Sequence, residues 1–276
     1  MRLFWLTLLT LCAFAANSLL NRAALAAGGA DPLAFAAIRV AAGAATLLAL
    51  VQVRGKRLPA LRPVPVPVLA LAAYMLGFSL SYLELAAGTG ALILFGGVQI
   101  TMFAGALLSG EKVPPRRSLG AALAFAGLVW LMLPSAGAVP SFRAAALMLV
   151  AALGWGIYSL AGRRVADPLA STAANFIWCL PLAALPLIWP GATLPNAQGW
   201  LLALVSGAVT SGLGYALWYA LVPQLGAGRA AVAQMAVPVI ALLGGVALLA
   251  EVPGLPALAA SAIVMAGVAL ATLPRR

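Results

Sequence analysis

Ten long apolar runs constrain this chain more than any other feature of its sequence. A helix needs about 20 apolar residues to cross the hydrocarbon core of a bilayer, and most of these runs approach that length. They are too long and too uniformly apolar for barrel strands, which leaves a helical bundle to satisfy the backbone in lipid. We therefore predict an all-α membrane protein with ten transmembrane helices. The runs cover 3–26, 32–53, 65–86, 90–109, 118–134, 144–162, 168–189, 199–221, 229–249 and 255–273.

The composition agrees with a lipid-facing surface. Of the 276 residues, 64% are hydrophobic and only 8% are charged, whereas soluble domains carry about 25% charged residues. The net charge of +11 is gathered in short segments between the apolar runs. A nucleic-acid-binding protein would need a continuous basic face instead. We therefore expect the lipid bilayer, and no nucleic acid, as a partner.

The positive charges between the runs predict the orientation of the chain. With the N-terminus inside, the outside loops carry Arg143 alone. Because cytoplasmic loops are enriched in Lys and Arg, this asymmetry supports the ten spans and predicts cytoplasmic N- and C-termini. The inside segments carry Arg2, Arg54, Lys56, Arg57, Arg62, Lys112, Arg116, Arg117, Arg163, Arg164, Arg229, Arg275 and Arg276.

A repeated stretch divides the chain into two halves. The residues from Tyr74 to Glu111 recur in similar form from Tyr215 to Glu251. Each half, 1–138 and 139–276, holds five of the predicted spans. Because five is odd, the second half begins on the opposite side of the membrane, which predicts two inverted five-helix repeats.

The residue types disfavour catalysis. Histidine is absent, and the two cysteines, Cys12 and Cys179, lie within apolar runs. The commonest metal ligand and general base is therefore missing, and the isolated cysteines predict neither a disulfide nor a metal site. No two acidic residues occupy neighbouring mid-span positions, as a catalytic pair would require. We expect no enzyme activity, no metal and no cofactor.

A pattern in the second half carries a family resemblance. The eighth run contains Tyr215, Trp218 and Tyr219, the ninth contains Pro238, and Glu251 follows it. With ten short spans, five plus five, these residues resemble the EamA-type drug/metabolite transporter superfamily. Length and span number are similar to its YddG-type amino-acid exporters. The resemblance implies a multi-pass carrier of the bacterial cytoplasmic (inner) membrane that exports amino acids or related metabolites by alternating access through a central cavity.

Other functions remain open on the residues. The spans contain aromatic and amide side chains but few charges. A cavity lined by such side chains suits a neutral or zwitterionic small molecule, and also an apolar or cationic drug. A multidrug efflux carrier is therefore one alternative, and a membrane channel or structural membrane protein is an alternative of another class. We expect a small-molecule substrate and a functional monomer.

Aromatic residues recur at matching positions of the two halves. Tyr74, Phe78 and Tyr82 are spaced i, i+4 and i+8, so they share one helical face. Helix packing or interfacial anchoring would also place aromatic residues here. We predict that these faces form two walls of the substrate cavity. The matching residues of the eighth span are Tyr215, Trp218 and Tyr219.

Further cavity residues are expected among the mid-span polar and aromatic side chains. Trp155 and Tyr158 lie in the sixth span, and Asn17, Gln99 and Gln234 lie within the first, fourth and ninth. An amide in hydrocarbon costs free energy unless it is hydrogen-bonded, so these side chains should face the protein interior. Hydrogen bonds between helices are the alternative role for the amides.

Acidic residues within and at the ends of the spans are candidates for coupling or gating. Glu84 lies within the third predicted span, which makes it a functional acid or an ion-pair partner of Arg22 or Arg39. Glu111 and Glu251 end the fourth and ninth spans. Their repeated placement predicts a structural or gate-stabilising role rather than contact with substrate, most simply through a charge-assisted bond to helix ends or backbone of the same half.

Small residues and a proline interrupt the fourth and ninth spans. Gly96 and Gly97 lie in the fourth span, and Pro238, Gly244 and Gly245 lie in the ninth. Proline removes a helical hydrogen bond and glycine widens the permitted backbone angles. We predict that these helices bend as the cavity changes its open side, with close helix packing as the alternative explanation.

Overall fold

The computed structural model describes residues 1–26, 28–58, 64–110, 114–131, 141–162, 165–188, 193–225, 230 and 233–272. These residues form ten long helices, and no strand occurs among them. The all-helical prediction is therefore confirmed. The helices are α1 (Arg2–Ala26), α2 (Pro32–Val53), α3 (Pro65–Ser81), α4 (Ala87–Leu108), α5 (Pro115–Leu131), α6 (Phe142–Gly162), α7 (Pro168–Ala184), α8 (Ala197–Leu225), α9 (Ala236–Leu249) and α10 (Leu255–Thr272).

Six helices are long and apolar enough to cross a bilayer. They are α1, α2, α4, α6, α8 and α7 with its continuation to Ile188. Helices α3, α9 and α10 are apolar but shorter. Many large apolar side chains, such as Phe4, Leu149 and Leu201, lie exposed on the outside of the bundle. Such a surface fits contact with lipid.

Polar caps define where several helices begin. Asp31 accepts hydrogen bonds from the backbone N–H groups of Leu33 and Ala34 at the start of α2. Asp167 and Asn196 cap α7 and α8 in the same way. A side-chain acceptor at this position satisfies backbone donors that have no partner within the helix.

The third predicted span ends earlier than its hydropathy suggested. Helix α3 stops at Ser81, and 82–86 form a turn before α4 begins at Ala87. The backbone N–H groups of Glu84 and Leu85 both bond to the carbonyl of Ser81, which closes the turn. The prediction that Glu84 lies inside a helix is therefore wrong, and its side chain is exposed.

Helix packing in the bundle depends on close backbone approach. The main pairs are α3 with α6, α5 with α10, α2 with α7 and α8, α4 with α6 and α9, and α1 with α8 and α9. A Cβ added at Gly120 would lie 2.5 Å from the carbonyl oxygen of Gly267, and one at Gly267 would lie 2.7 Å from that of Gly120. Small residues therefore bring α5 and α10 into backbone contact.

Helix α8 changes its winding in the middle. Its segment Ser206–Leu213 is a π-helix between two α-helical segments. A Cβ on Gly212 would lie 2.9 Å from the Cβ of Thr46, so glycine lets this segment lie directly on α2. Wider π-helical turns are uncommon and occur frequently at functional sites.

Candidate functional site

Aromatic rings from five parts of the chain meet where α3, α6 and α8 approach one another. Trp155 is central, with ring centroids 5.0 Å from both Tyr74 and Tyr215. The hydroxyl of Tyr215 also donates to that of Tyr74 across 3.4 Å. The predicted walls on α3 and α8 are thus in direct contact. We call this set the aromatic cluster: Phe14, Tyr74, Phe78, Tyr82, Trp155, Tyr158, Phe176, Tyr215 and Trp218.

The margins of the aromatic cluster are held by hydrogen bonds and packing. The Tyr158 hydroxyl donates to Thr172 Oγ1 at 3.3 Å and accepts from Asn175 Nδ2 at 3.4 Å. Tyr82, just beyond α3, donates from its hydroxyl to the carbonyl of Ala87. Tyr219 is half-buried and packs against the same core. All eight predicted aromatic residues therefore lie in or beside one cluster.

Arg39 lies fully buried at the edge of the aromatic cluster. Its Nη2 donates to the Tyr74 hydroxyl at 3.0 Å, and its Nε donates to Ser211 Oγ at 3.1 Å. The guanidinium carbon lies 5.4 Å from the Tyr74 ring centroid and 4.9 Å from that of Phe78. Cation–π contacts of this kind contribute about 0.5–2 kcal/mol each. Placing an arginine in a membrane helix costs up to about 2.5–3.5 kcal/mol on insertion scales, with the largest cost at the helix centre.

The expected ion pairs of Glu84 do not form. Arg39 contacts hydroxyl groups and rings, and Arg22 Nη1 donates to the backbone carbonyls of Tyr82 and Leu83. Glu84 instead lies in the turn after α3, with its side chain exposed on the outside of the bundle.

Asn17 gathers hydroxyl groups from the π-helical segment of α8. Its Oδ1 accepts from Thr210 at 2.6 Å, from Ser206 at 2.8 Å and from Ser211 at 3.4 Å. Because Ser211 also accepts from Arg39, a continuous polar chain joins α1, α8 and α2. The sequence interpretation missed the three hydroxyl residues. Their spacing of i, i+4 and i+5 in an otherwise apolar run was the available signal.

Gln99 and Gln234 line one small cleft between α4, α9 and α10. Gly96 and Pro238 line it too. The cleft has room for about one water molecule. Both amides are half-buried in this cleft and lie apart from the aromatic cluster, so their assignment to the substrate cavity stays a prediction.

Glu251 joins the two halves of the chain. Its Oε1 accepts from Arg22 Nε at 3.0 Å, and its Oε2 accepts from the backbone N–H of Ala87 at 2.8 Å. Both partners belong to the first half, so the expectation of bonds within the same half is wrong for Glu251. Helix α9 ends at Leu249, and the turn after it aims the carboxylate back at α1 and α4. Glu111, its counterpart in the repeat, lies outside the described residues.

The predicted hinge glycines are closely packed. A Cβ on Gly97 would lie 2.7 Å from the Cβ of Ala152, and one on Gly244 would lie 2.6 Å from the Leu19 side chain. At Gly245 it would lie 2.6 Å from Oε2 of Glu251. Close packing thus accounts for these positions, and bending remains a prediction.

A second ion pair joins the halves at another place. Lys56, after α2, contacts Asp167 at the start of α7 with an N–O distance of 2.7 Å. Partial burial alone would raise the pKa of the Asp167 carboxyl. The hydrogen bonds from Lys56 and the Ala170 N–H outweigh it and lower that pKa.

The polar side chains that meet at the candidate site are hydrogen-bonding groups that suit ligand binding. Within the described ranges, no three His, Cys, Asp or Glu side chains are grouped so that they could hold a metal ion. The polar groups that converge are phenols, alcohols, amides and one guanidinium. Such groups bind and orient a ligand through hydrogen bonds, and aromatic rings supply apolar contact area.

Comparison with known proteins identifies the family. The EamA-like transporter family model matches residues 142–273. An aromatic amino acid exporter, YddG, from Ancylobacter novellus is 31% identical over 288 residues, covering 97% of this chain and 98% of the exporter. The chain belongs to the EamA-like transporter family. The resemblance inferred from the sequence is confirmed, and family membership indicates a multi-pass membrane transporter.

Other relatives extend over the same length. An uncharacterized protein of Pseudomonas aeruginosa is 44% identical over 277 residues, covering 99% of this chain and 96% of that protein. An uncharacterized transporter of Archaeoglobus fulgidus is 26% identical over 253 residues, covering 86% and 87%. A solved crystal structure superposes with a TM-score of 0.68 at 25% identity, covering 97% of this chain and 96% of that one. The family fold therefore spans nearly the whole chain.

Proposed function

We propose that the protein is a secondary transporter that exports amino acids or related small metabolites across the bacterial cytoplasmic membrane. The observation that carries this is the aromatic cluster, in which Tyr74 of α3 and Tyr215 of α8 meet through their hydroxyl groups. Rings with polar tips suit a ligand that has an apolar side chain and polar backbone groups. The relative named as an aromatic amino acid exporter supports this substrate class.

The transport mechanism we propose is alternating access between two inverted repeats, 1–138 and 139–276. The helix packing supports it, because each helix of one half can be replaced by its counterpart in the other half, α1 by α6, α2 by α7 and so on. This exchange converts one main contact into another. The contact of α3 with α6 corresponds to that of α8 with α1, and the contact of α4 with α6 to that of α9 with α1. The pairs α2–α7, α4–α9 and α5–α10 are their own counterparts. Such a pattern is expected of a pseudo-two-fold axis in the membrane plane.

Two ion pairs fit the roles of gates in this mechanism. With cytoplasmic termini, Arg22 and Glu251 lie near the outer face, and Lys56 and Asp167 lie near the inner face. Each pair joins the first half to the second. A carrier that opens alternately to each side must break contacts between the halves at one face at a time.

Counterflow tests the proposal. Proteoliposomes holding the purified chain are preloaded with unlabelled phenylalanine, and uptake of labelled phenylalanine is measured, with alanine, leucine and a quaternary ammonium dye as further substrates. A carrier gives saturable exchange. Transport of the dye alone would favour the multidrug alternative, and flux without saturation or exchange would favour a channel.

A matched pair of variants links the transport to the cluster. Phe78 is 1% exposed within the aromatic cluster, whereas Phe125 on α5 is 58% exposed. We expect Phe78→Ala to lower exchange at least tenfold, which corresponds to about 1.4 kcal/mol, and Phe125→Ala to leave it unchanged. Equal effects of the two substitutions would contradict the assignment of the site to the aromatic cluster.

A further inference from the structure

Arg39 uses only part of its hydrogen-bonding capacity. Its side chain is 0% exposed, and Nε and Nη2 donate to Ser211 and Tyr74. Nη1 is buried without an acceptor among the residues that the structure describes. Of the two terminal nitrogens of the guanidinium, Nη1 therefore has no acceptor among the described residues, and Nη2 donates to a neutral phenol.

None of the four acidic side chains within the described ranges pairs with Arg39. Asp31 caps α2 through backbone N–H groups, Asp167 pairs with Lys56, and Glu251 pairs with Arg22. Glu84 lies exposed in the turn after α3. Arg39 therefore holds a positive charge inside the bundle without a carboxylate from these four residues.

A buried charge of this kind calls for an anion. Aromatic faces and alcohols stabilise a guanidinium weakly compared with a carboxylate, which accepts two parallel hydrogen bonds from its planar fork. Tyr74 already marks where one carboxylate oxygen would lie, because its hydroxyl oxygen accepts from Arg39 Nη2 and from the Tyr215 hydroxyl. The second carboxylate oxygen would accept from Nη1.

We propose that Arg39 is the binding residue for the carboxylate of the transported molecule, an inference that rests on the proposed function. The ligand is a monocarboxylate with an aromatic or similarly flat apolar body. Its carboxylate accepts from Nη1 and Nη2 of Arg39 and from the Tyr215 hydroxyl, after the Tyr74 hydroxyl has moved aside. Its apolar body packs against Phe78 and Trp155 of the aromatic cluster.

The position of Arg39 suits a carrier because it lies where the two halves meet. Tyr74 and Phe78 contact it from the first half, and Ser211 contacts it from the second. A ligand bound here touches both halves, so it can favour one arrangement of the halves over the other.

A structural role for Arg39 makes a different prediction. If Arg39 served only to fasten α2 to α3 and α8, ligands with and without a carboxylate would bind alike. Two probes of similar size separate the roles: 3-phenylpropionate has the carboxylate and no amine, and phenethylamine has the amine and no carboxylate.

The experiment measures equilibrium binding of both probes to the purified full chain in detergent by tryptophan fluorescence. We expect 3-phenylpropionate to bind saturably and phenethylamine at least about thirtyfold more weakly, as loss of one partner of a buried charge pair predicts. Arg39→Gln should weaken 3-phenylpropionate binding by a similar factor, and Arg39→Lys by less. Arg143→Gln, which removes an exposed arginine of α6, is the matched control.

Three results would overturn the assignment: no saturable binding of 3-phenylpropionate to the unaltered protein, equal binding of the two probes, or full binding by folded Arg39→Gln. Thermal unfolding shows whether the variant folds, and if it does not, the comparison of the two probes on the unaltered chain decides. Failure of the proposed function is a separate outcome, seen as absence of counterflow while the carboxylate still binds.

Discussion

Arg22 and Glu251 form an ion pair with an N–O distance of 3.0 Å, although 229 positions of sequence separate them. The pair joins the end of α1 to the turn after α9. Glu251 also accepts from the first backbone N–H of α4, at Ala87. One carboxylate therefore connects three helices at one end of the bundle, and it does so across the boundary between the proposed repeats.

Removing this carboxylate should loosen that end of the bundle. In Glu251→Gln the amide keeps one acceptor, but it loses the charge that faces Arg22. The pair is only partly buried, with side-chain exposures of 22% and 17%, so we expect a loss of about 1–3 kcal/mol in the free energy of unfolding. Thermal unfolding in detergent measures it.

Glu84→Gln is the matched control for that substitution, because it removes an exposed acid only a few residues from Ala87. It should leave the unfolding midpoint unchanged. A loss of stability in Glu84→Gln as large as that in Glu251→Gln would mean that net charge, and not the ion pair, sets the effect.

The network around Asn17 should show coupling between α1 and α8. Asn17→Ala removes the interhelical acceptor of the Thr210 hydroxyl and leaves its second acceptor, the Ser206 carbonyl, whereas Thr210→Val removes the donor. Hydrogen bonds between membrane helices contribute about 0.6 kcal/mol on average and at most about 1.7 kcal/mol. We expect a double-mutant cycle of these substitutions to give a coupling free energy in that range.

Ser261→Ala supplies the control for the cycle, because the Ser261 hydroxyl bonds to the carbonyl of Ala257 in its own helix. Paired with Asn17→Ala, it should give additive changes in the free energy of unfolding. A coupling near zero between Asn17 and Thr210 would mean that the three hydroxyl groups find other acceptors when Asn17 is absent.

The pair of Lys56 and Asp167 predicts a dependence of stability on pH. Because the folded protein lowers the pKa of the Asp167 carboxyl, its stabilisation is fully present above the ordinary aspartate pKa of about 3.9. That stabilisation is lost as the pH falls through the lowered pKa of the folded state. The pair is well exposed, so we expect less than about 1 kcal/mol.

Asp167→Asn isolates that charge, because asparagine remains a good cap for α7. The variant should unfold more easily than the unaltered protein at pH 6, and this difference should shrink as the pH falls through the lowered pKa of Asp167. Asp31→Asn changes the equivalent cap of α2. If both variants gave the same profile against pH, the Lys56 contact would not be the cause.

The sequence predicts which aromatic residues form the site better than it predicts the partners of the charged residue Arg39. Tyr74 and Tyr215 stand out because the repeat places them at matching positions, and the structure joins their hydroxyl groups. Arg39 was considered as an ion-pair partner of Glu84, since hydropathy alone does not show which face of α2 is buried. The bonds of Arg39 to Tyr74 and Ser211 depend on how three helices pack.

The sequence also did not predict where α3 ends or that part of α8 is a π-helix. The hydropathy profile predicted a third span that includes Glu84. In the structure, hydrogen bonds to the Ser81 carbonyl form a turn that ends the helix before Glu84. The π-helical segment of α8 has no distinctive hydropathy, yet it brings Ser206, Thr210 and Ser211 to one acceptor. Tertiary packing and side-chain pairing decide both features, and a single hydropathy profile does not encode them.

Glycine substitutions distinguish packing from bending in α4. Gly97→Ala would bring a methyl group to 2.7 Å from the Cβ of Ala152, so the backbones of α4 and α6 must separate. Overpacking of this kind costs about 1–3 kcal/mol, and we expect the free energy of unfolding to fall by that amount. Gly162→Ala is the control, because nothing lies within 4 Å of a Cβ at that position. If Gly97→Ala instead kept full stability and slowed counterflow, bending of α4, and not its packing, would be the function of this glycine.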